Sequence, residues 1–298
     1  MPAGAVIDIR NLSKHFGAVA AVNDLSFSVA PGQVTGFLGP NGAGKTTTLR
    51  MLLGLVKPSA GTATIGGKAY RDLEHPLATV GTALEAASFH PGRSARDHLV
   101  IYALAAGIDR SRVDLVLAQV GLSDFAGRRV GGYSLGMRQR LGLAFALLGD
   151  PGVFVLDEPI NGLDPEGIRW IRTFLRELAR EGRTVLVSSH LLSEVQQSVD
   201  ALVIISHGSL VFQGSLEGLQ TDSRVLVDSP DRASLESALL AAGAAVESGA
   251  ESLIVGRLTT QEVGAIAHRA GVSLSLLTPR RNGIEDAFLD IVGEGGRP

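Results

Sequence analysis

The sequence predicts an α/β fold, and three stretches carry that prediction. An apolar run at residues 34–38 leads into a glycine-rich loop and then into a helix-compatible run at 46–53. Further apolar runs lie at 153–157 and 184–188, and between them apolar residues recur at helical spacing over 168–178. Short apolar strands that alternate with amphipathic helices are typical of a largely parallel sheet.

Composition sets the size and the general class of the protein. The 298 residues are enough for one large domain and a small one, because domains usually have about 100 to 200 residues. The formal net charge is −3 and the charges of both signs are interspersed, so no nucleic-acid-binding tail is predicted. There is no cysteine, which excludes disulfides and thiolate metal sites.

The hydrophobic content of 45% does not include a candidate membrane span. The longest apolar runs, such as 143–148, are far shorter than the ~20 residues that a spanning helix needs. The first residues lack a basic segment followed by a long apolar one, so no secretory signal is expected. We therefore expect a soluble, cytoplasmic protein.

The elements of the larger part are predicted in chain order. Residues 6–9 and 25–29 are predicted to form antiparallel strands at the start of the chain. Further strands are predicted at 62–65 and near 80–84. From 95 to 148 the apolar spacing becomes helical, which predicts an all-helical insertion.

The hydrophobic pattern changes again from about residue 221, where it predicts alternating short strands and helices. Thr259 and Glu262 have the spacing of a capping box at a helix start. The order βαββαβ, followed by a helix, predicts a small α+β domain of ferredoxin-like character. Its predicted strands are 224–227, 245–247, 253–255 and 273–277, and its predicted helices are 232–242, one from 259 and one from 284.

The glycine-rich loop is the strongest functional signal. It fits the pattern G-x-x-x-x-G-K-[ST] between a strand and a helix, where backbone N–H groups form an anion site. Lys45 is expected to reach the β- and γ-phosphates, and Thr46 to offer a hydroxyl ligand to Mg²⁺. The alternative is a tight turn that binds nothing. The loop consists of Gly39, Pro40, Asn41, Gly42, Ala43, Gly44, Lys45, Thr46 and Thr47.

Two carboxylates end the strand at 153–157. In an open α/β sheet, ligands lie outside the carboxyl ends of strands, so Asp157 and Glu158 are expected at the same edge as the loop. Asp157 suits a Mg²⁺ ligand, and Glu158 suits a group that orients or polarises an attacking water. His190 ends the next predicted strand, although a histidine there is often only structural.

Two weaker candidates lie elsewhere. Ser134 is a predicted N-cap of the third insertion helix, preceded by two glycines and followed by Gly136 and several arginines, which also fits a plain capped core helix. Phe16 lies beside Gly17 about two dozen residues before the loop, where an aromatic is often a core residue.

Taken together, these motifs resemble the ATP-binding subunits of ABC transporters over residues 1 to about 219. The resemblance implies a P-loop ATPase core with an antiparallel β subdomain and a helical insertion at about 86–150, plus a C-terminal accessory α+β domain at 220–298. The motifs assigned by the resemblance are Phe16 stacking on adenine, the Walker A loop Gly39 to Thr47, the signature Ser134 to Met137, the Walker B Asp157, the catalytic Glu158, the D-loop Gly162-Leu163-Asp164 and the switch His190.

The resemblance also implies cofactors and partners. It implies Mg²⁺ and ATP, a homodimer closing head to tail so that Ser134 and Gly136 complete the partner copy's γ-phosphate site, and separate integral-membrane permease subunits at the cytoplasmic face of the membrane. No nucleic-acid partner is expected. The region around Glu85 and the C-terminal domain look most like drug and antibiotic exporters, similar to the daunorubicin and bacitracin resistance subunits.

Other functions remain open from the sequence. An importer subunit, a non-membrane ABC ATPase acting on ribosomes or DNA, and an inactive nucleotide-binding regulator share the same core motifs.

Two motifs depart from the family pattern. Glu85 stands where the family usually has glutamine, so it is a candidate direct Mg²⁺ ligand. The signature, usually L-S-G-G-Q, reads Y-S-L-G-M from Tyr133 to Met137.

Overall fold

The computed structural model describes residues 2–84, 89–219, 224–249, 252–256 and 258–280. These residues form two compact units, the first ending at Gly214 and the second beginning at Ser215. In the described part of the chain, no helix is both long and apolar enough to cross a membrane.

The first unit contains nine strands and seven helices among its described residues. Short 3-10 helices lie at Tyr70–Asp72, Ser123–Phe125 and Val130–Gly132. The strands are β1 (Ile7–Phe16), β2 (Val19–Val29), β3 (Val34–Leu38), β4 (Ala60–Ile65), β5 (Val80–Ala83), β6 (Val153–Asp157), β7 (Thr184–Ser189), β8 (Ala201–Ser206) and β9 (Ser209–Ser215). The helices are α1 (Lys45–Leu52), α2 (Pro76–Thr79), α3 (Ala95–Ala105), α4 (Ser111–Gln119), α5 (Leu135–Leu147), α6 (Pro165–Arg180) and α7 (Leu192–Val195).

Two sheets make up the first unit. The smaller has the order β2-β1-β4, and both of its strand pairs are antiparallel, which confirms the predicted antiparallel start. The larger has the order β5-β6-β7-β3-β8-β9, and its pairs from β5 to β8 are parallel. Residues of β3, β6 and β7 are buried throughout, as expected for parallel strands covered on both faces.

One apolar cluster joins the two sheets through α1. Ring centroids of Phe27 on β2 and Phe37 on β3 lie 5.2 Å apart within it. The cluster also contains Leu49 from α1 and Val155 from β6, both fully buried. This packing fixes α1, and therefore the loop before it, against the sheet.

The predicted helical region is confirmed by α3, α4 and α5. The Ser94 hydroxyl caps α3 by accepting from the Asp97 N–H at 3.0 Å, and Ser134 caps α5 in the same way from Met137 at 3.2 Å. The apolar stripe of α5 is buried, including Leu141 and Ala144.

The second unit begins with α8 (Leu216–Leu219) and continues in the order βαββαβ, as predicted. Its sheet has the order β11-β12-β10-β13, and every pair in it is antiparallel, which is the ferredoxin-like arrangement. These elements are β10 (Arg224–Asp228), α9 (Arg232–Ala241), β11 (Ala245–Ser248), β12 (Leu253–Gly256), α10 (Thr260–Arg269) and β13 (Leu276–Arg280).

In the second unit, the structure confirms the predicted capping box but moves the start of the last strand. The capping box of Thr259 and Glu262 is confirmed, since each side chain bonds the other's backbone N–H. The last strand begins at Leu276, three residues later than predicted, and continues through Pro279. Proline is tolerated there because β13 is an edge strand. Backbone N–H groups on its outward side have no neighbouring strand to bond, so the missing N–H of proline breaks no hydrogen bond of the sheet. The predicted helix from 284 lies outside the described residues.

Candidate functional site

Three neighbouring strands of the large sheet end together. In the parallel register, Leu38 at the end of β3 pairs with Ser189 of β7, and Asp157 at the end of β6 pairs with Ser188. The loop after β3, the carboxylates after β6 and the histidine after β7 therefore meet at one edge, as the sequence predicts.

The glycines of the loop allow its close approach to neighbouring backbone. Gly44, the N-cap of α1, has φ of 102°, and a Cβ there would overlap the carbonyl oxygen of Ala21. A Cβ on Gly39 would overlap the carbonyl oxygen of Ile205. Because no side chain caps α1, its first N–H groups remain available to an anion in the adjacent cleft.

Lys45 lies at the base of this cleft. Only 7% of its side chain is exposed, and Nζ donates to the carbonyl oxygens of Gly39 at 2.7 Å and Pro40 at 3.3 Å. Burial lowers the pKa of the Lys45 ammonium, while the charges of Glu158 and Asp157 oppose that shift. The ammonium is thus held beside the cleft by backbone oxygens, with Glu158 Oε1 at 3.9 Å.

Asp157 is hydrogen-bonded to Thr46, which lines the cleft. The Thr46 hydroxyl donates to Asp157 Oδ2 at 2.9 Å, and the Ser188 hydroxyl donates to Asp157 Oδ1. In the described residues no three His, Cys, Asp or Glu side chains form a protein-only metal cluster. A hydroxyl and a single carboxylate nevertheless fit Mg²⁺, which commonly takes one or two protein oxygens together with phosphate oxygens.

Glu158 and His190 form the second polar pair of the cleft. His190 Nδ1 lies 2.9 Å from Glu158 Oε2, and about a quarter of each side chain is exposed. The backbone N–H of Glu158 donates to Ser188 Oγ at 2.9 Å. Glu158 has φ of 50°, a left-handed conformation that is strained for a residue with a Cβ.

The cleft has a volume of about 440 Å³. It contains most of the residues predicted from the loop and the two strand ends, together with Ala21 and Asn161. Its lining residues are Ala21, Asn41, Gly42, Ala43, Gly44, Lys45, Thr46, Thr47, Glu158, Asn161 and His190.

Sequence reasoning misses the part played by Ser188. This residue is fully buried and ties the Asp157 carboxylate to the Glu158 backbone. A serine in a strand carries little signal by itself. The only available signal is its place directly before Ser189 and His190, at the same predicted strand end.

Several other predicted residues do not line the cleft. Gly39, Pro40 and Asp157 are absent from its lining, and Asp157 lines a neighbouring pocket instead. Ser134 is exposed at the start of α5, next to half-buried Gly136, and neither lines the cleft. Phe16, at the end of β1, is 52% exposed, with Lys14 Nζ 4.9 Å from its ring centroid, and it also does not line the cleft. Glu85 lies outside the described residues.

The sheet order and the loop after β3 define a P-loop ATPase fold. Comparison with known families agrees: the model of the ABC transporter family matches residues 22–161. A domain family of unknown function matches residues 223–285.

Relatives extend the similarity to both units. The bacitracin transport ATP-binding protein BcrA of Enterococcus faecalis is 35% identical over 98% of this chain and 97% of its own length. The Nod factor export ATP-binding protein I of Burkholderia orbicola (strain AU 1054) is 36% identical, with 97% of each chain covered. A solved ATP-binding subunit of an ABC transporter has a TM-score of 0.66 at 26% identity, covering 72% of this chain and 92% of its own. The chain therefore belongs to the ABC transporter family, among its ATP-binding proteins.

Proposed function

We propose that this protein binds and hydrolyses ATP and so powers the export of a drug, antibiotic or similar hydrophobic compound through separate membrane subunits. The observation that carries the proposal is the convergence of Lys45, Glu158 and His190 on one cleft beside the glycine-rich loop. Phosphate chemistry needs a fixed cation, hydrogen-bond donors and a group that orients water, and this cleft offers all three.

In the proposed binding mode, the loop and the first turn of α1 hold the phosphates through backbone N–H groups. Lys45 exchanges its carbonyl partners for phosphate oxygens, which relieves the unfavourable burial of its charge. Thr46 and Asp157 would hold Mg²⁺, with Glu85 as a further proposed ligand, and the ion would neutralise phosphate charge. Phe16 stacks on the adenine ring.

Hydrolysis is assigned to Glu158 and His190. The pair is close enough for His190 to fix the Glu158 carboxylate through one oxygen, which leaves the other to accept a proton from an attacking water. The strained backbone of Glu158 and the hydrogen bond from its N–H to Ser188 fix the main chain from which the carboxylate projects. Alignment and charge stabilisation then supply most of the rate enhancement.

The exposed position of Ser134 and Gly136 supports a dimer. A hydroxyl and a backbone N–H at a helix start suit a phosphate, but neither lines the cleft of its own chain. We propose that two copies close head to tail, so that each signature segment completes the other copy's γ-phosphate site. Residues 1–219 then form the ATP-binding domain, and 220–298 an accessory domain.

The membrane partners and the direction of transport are supported by relatives. The names of two relatives that match nearly the whole chain refer to bacitracin transport and Nod factor export. We propose integral-membrane permease subunits as partners and a peripheral position on the cytoplasmic face of the membrane. Copurification of the permease, with ATPase activity measured across candidate compounds, tests this part.

The catalytic assignment is tested with Glu158→Gln. This change keeps the shape of the side chain but removes the base, so hydrolysis should fall roughly 100-fold or more while ATP still binds. Gel filtration with ATP should then show a trapped dimer. Glu177→Gln, an exposed position on α6, is the matched control and should behave as wild type. A Glu158→Gln variant that stays monomeric with ATP contradicts the head-to-tail model.

A further inference from the structure

A second cavity of the first unit lies between the helical insertion and the edge strand β5. It has a volume of about 170 Å³, and its walls come from β5, α3 and α5, together with Leu84 and Phe89. His98, Tyr102 and Phe145 join Phe89 in an aromatic wall, and we call this space the aromatic cavity. An engineered apolar cavity of about 150 Å³ binds benzene, so the aromatic cavity has room for about one six-membered ring.

The rings of this wall already meet one another edge to face. The ring centroids of Tyr102 and Phe145 lie 4.8 Å apart, with 72° between the ring planes. Those of Phe89 and His98 lie 5.0 Å apart, with 79° between the planes. Because aromatic rings favour such contacts, these walls suit a further aromatic ring better than an aliphatic chain of the same volume.

His98 is the polar group of the aromatic wall. It is 5% exposed, and within the described part of the chain its Nδ1 atom has no hydrogen-bond partner. Burial lowers the pKa of His98 and the charge of Arg93 lowers it further, so the imidazole is neutral at pH 7. A neutral imidazole can donate one hydrogen bond and accept another. Buried polar atoms are rarely left unpaired, and a ligand hydroxyl could pair with this one.

The charges near the cavity favour an uncharged ligand. The positive charge of Arg93, which acts on His98, disfavours a cation at that wall. Asp157 also lines the cavity, and its carboxylate disfavours an anion. The same carboxylate accepts from the hydroxyl of Thr46, which lines the ATP cleft. Asp157 therefore connects the two spaces.

We propose that the aromatic cavity binds a small uncharged phenol, with its ring against the aromatic wall and its hydroxyl bonded to His98. Its occupant also lies near Asp157, so binding of the phenol and binding of ATP affect each other. That linkage rests on the proposed function, whereas the phenol site itself does not.

The first test compares phenol with toluene, which has a similar size but no hydroxyl. Isothermal titration calorimetry of the full chain without nucleotide should give a phenol Kd on the order of 0.1–1 mM, as expected for a ligand this small. His98→Phe keeps a ring but removes both nitrogens, so the ratio of the toluene Kd to the phenol Kd should fall about 3- to 10-fold. His75→Phe, at an exposed histidine, is the control and should leave the ratio unchanged.

The second test makes the cavity smaller. A Cβ on Gly142 of α5 would lie 3.6 Å from Ala83 Cβ and 3.9 Å from Phe89 Cζ, which are ordinary contact distances. Gly142→Ala therefore adds a methyl group to the wall without a clash, and alanine favours the helix. Phenol and toluene should both bind about fivefold or more weakly. Gly264→Ala on α10 is the control and should leave both affinities unchanged.

The third test distinguishes a free phenol from the tyrosine side chain of another protein. N-acetyltyrosinamide carries the same ring on a peptide backbone, for which a cavity of one ring has no room. It should therefore bind at least about tenfold more weakly than phenol. If it binds as tightly as phenol, the occupant is a protein side chain and the free ligand is wrong.

The last test measures the linkage to the ATP cleft. Saturating phenol should shift the Kd for ATP by at least about twofold, and saturating ATP should shift the Kd for phenol by the same factor. An unshifted Kd overturns the linkage alone. Absent phenol binding, or a Kd ratio unchanged in His98→Phe, overturns the site. A wild type that binds phenol but not ATP overturns the proposed function and leaves the phenol site standing.

Discussion

The two compact units differ in where their polar side chains meet. In the first, β6, β7 and β3 are parallel neighbours, and their carboxyl ends bring residues 111 positions apart, such as Thr46 and Asp157, into one hydrogen bond. In the second, all strand pairs are antiparallel, so the carboxyl ends of neighbouring strands lie at opposite ends of the sheet.

Several polar contacts of the second unit join residues close in sequence, although the Ser275 hydroxyl also donates to Asp228, 47 positions away. Asp228 pairs with Arg232 four residues on at 2.8 Å, and Thr259 pairs with Glu262 at a helix start. The comparison shows that the carboxyl ends of a parallel sheet collect polar groups from distant parts of the chain at one edge. In the second unit, many of the polar side chains instead cap helices or close turns. Chemistry is expected in the first unit and mainly packing in the second.

The largest expected effect is on the packing of the second unit. Leu239 is fully buried on α9, so Leu239→Ala should lower the free energy of unfolding of that unit by about 2–5 kcal/mol. ATP affinity should not change, because the cleft belongs to the first unit. Leu240→Ala, at 54% exposure on the same helix, is the control. Denaturant unfolding with and without ATP checks this, and a matching loss of ATP affinity would break the comparison.

The next effect is on phosphate binding in the first unit. Lys45→Ala removes a charge-assisted contact of about 1.5–3 kcal/mol, so ATP affinity should fall roughly 10- to 150-fold. Exposed Lys57→Ala should have no such effect. Isothermal titration calorimetry measures the ATP affinity of both variants. An unchanged ATP affinity in Lys45→Ala would contradict the assignment of the loop as a phosphate-binding site.

The lowered pKa of Lys45 gives this prediction a pH dependence. Phosphate favours the charged ammonium, so bound ATP should raise the pKa that burial lowers in the free protein. ATP affinity should therefore fall as pH rises through the lowered pKa of free Lys45. The dependence should be absent in Lys45→Ala, and the same titration measures it from neutral to alkaline pH.

The smallest effects are expected from removing one side-chain hydroxyl in each unit. Ser188→Ala leaves the Glu158 N–H without its buried hydrogen-bond partner, which should lower the free energy of unfolding by about 1–3 kcal/mol. It should also slow hydrolysis roughly tenfold, because Asp157 and Glu158 lose the hydroxyl that positions them. Thr259→Ala removes a helix cap worth about 1 kcal/mol in the second unit and should leave hydrolysis unchanged. Steady-state ATPase rates and thermal unfolding of both variants test the contrast. Equal effects on hydrolysis would contradict it.

Much of the fold follows from local pattern in the sequence. The N-cap at Ser134, the capping box at Thr259 and most helix positions depend on neighbouring residues, and the structure confirms them. The strands β8 and β9 were not predicted, and β1 and β2 are longer than the predicted runs. The strand containing Pro279 began later than predicted, because its limits depend on pairing with β10 and on its edge position.

By itself, the sequence determined the chemical groups of the candidate site: the loop from Gly39 to Thr47, two adjacent carboxylates and a strand-end histidine. Only the tertiary structure decided how these groups meet. The order β6-β7-β3 sets Ser188 against both Asp157 and Glu158, and the packing of α5 on the D-loop sets Leu135 over Gly162. The physical reason is that local conformation depends on adjacent residues, whereas these contacts exist only after distant segments have packed into one sheet edge.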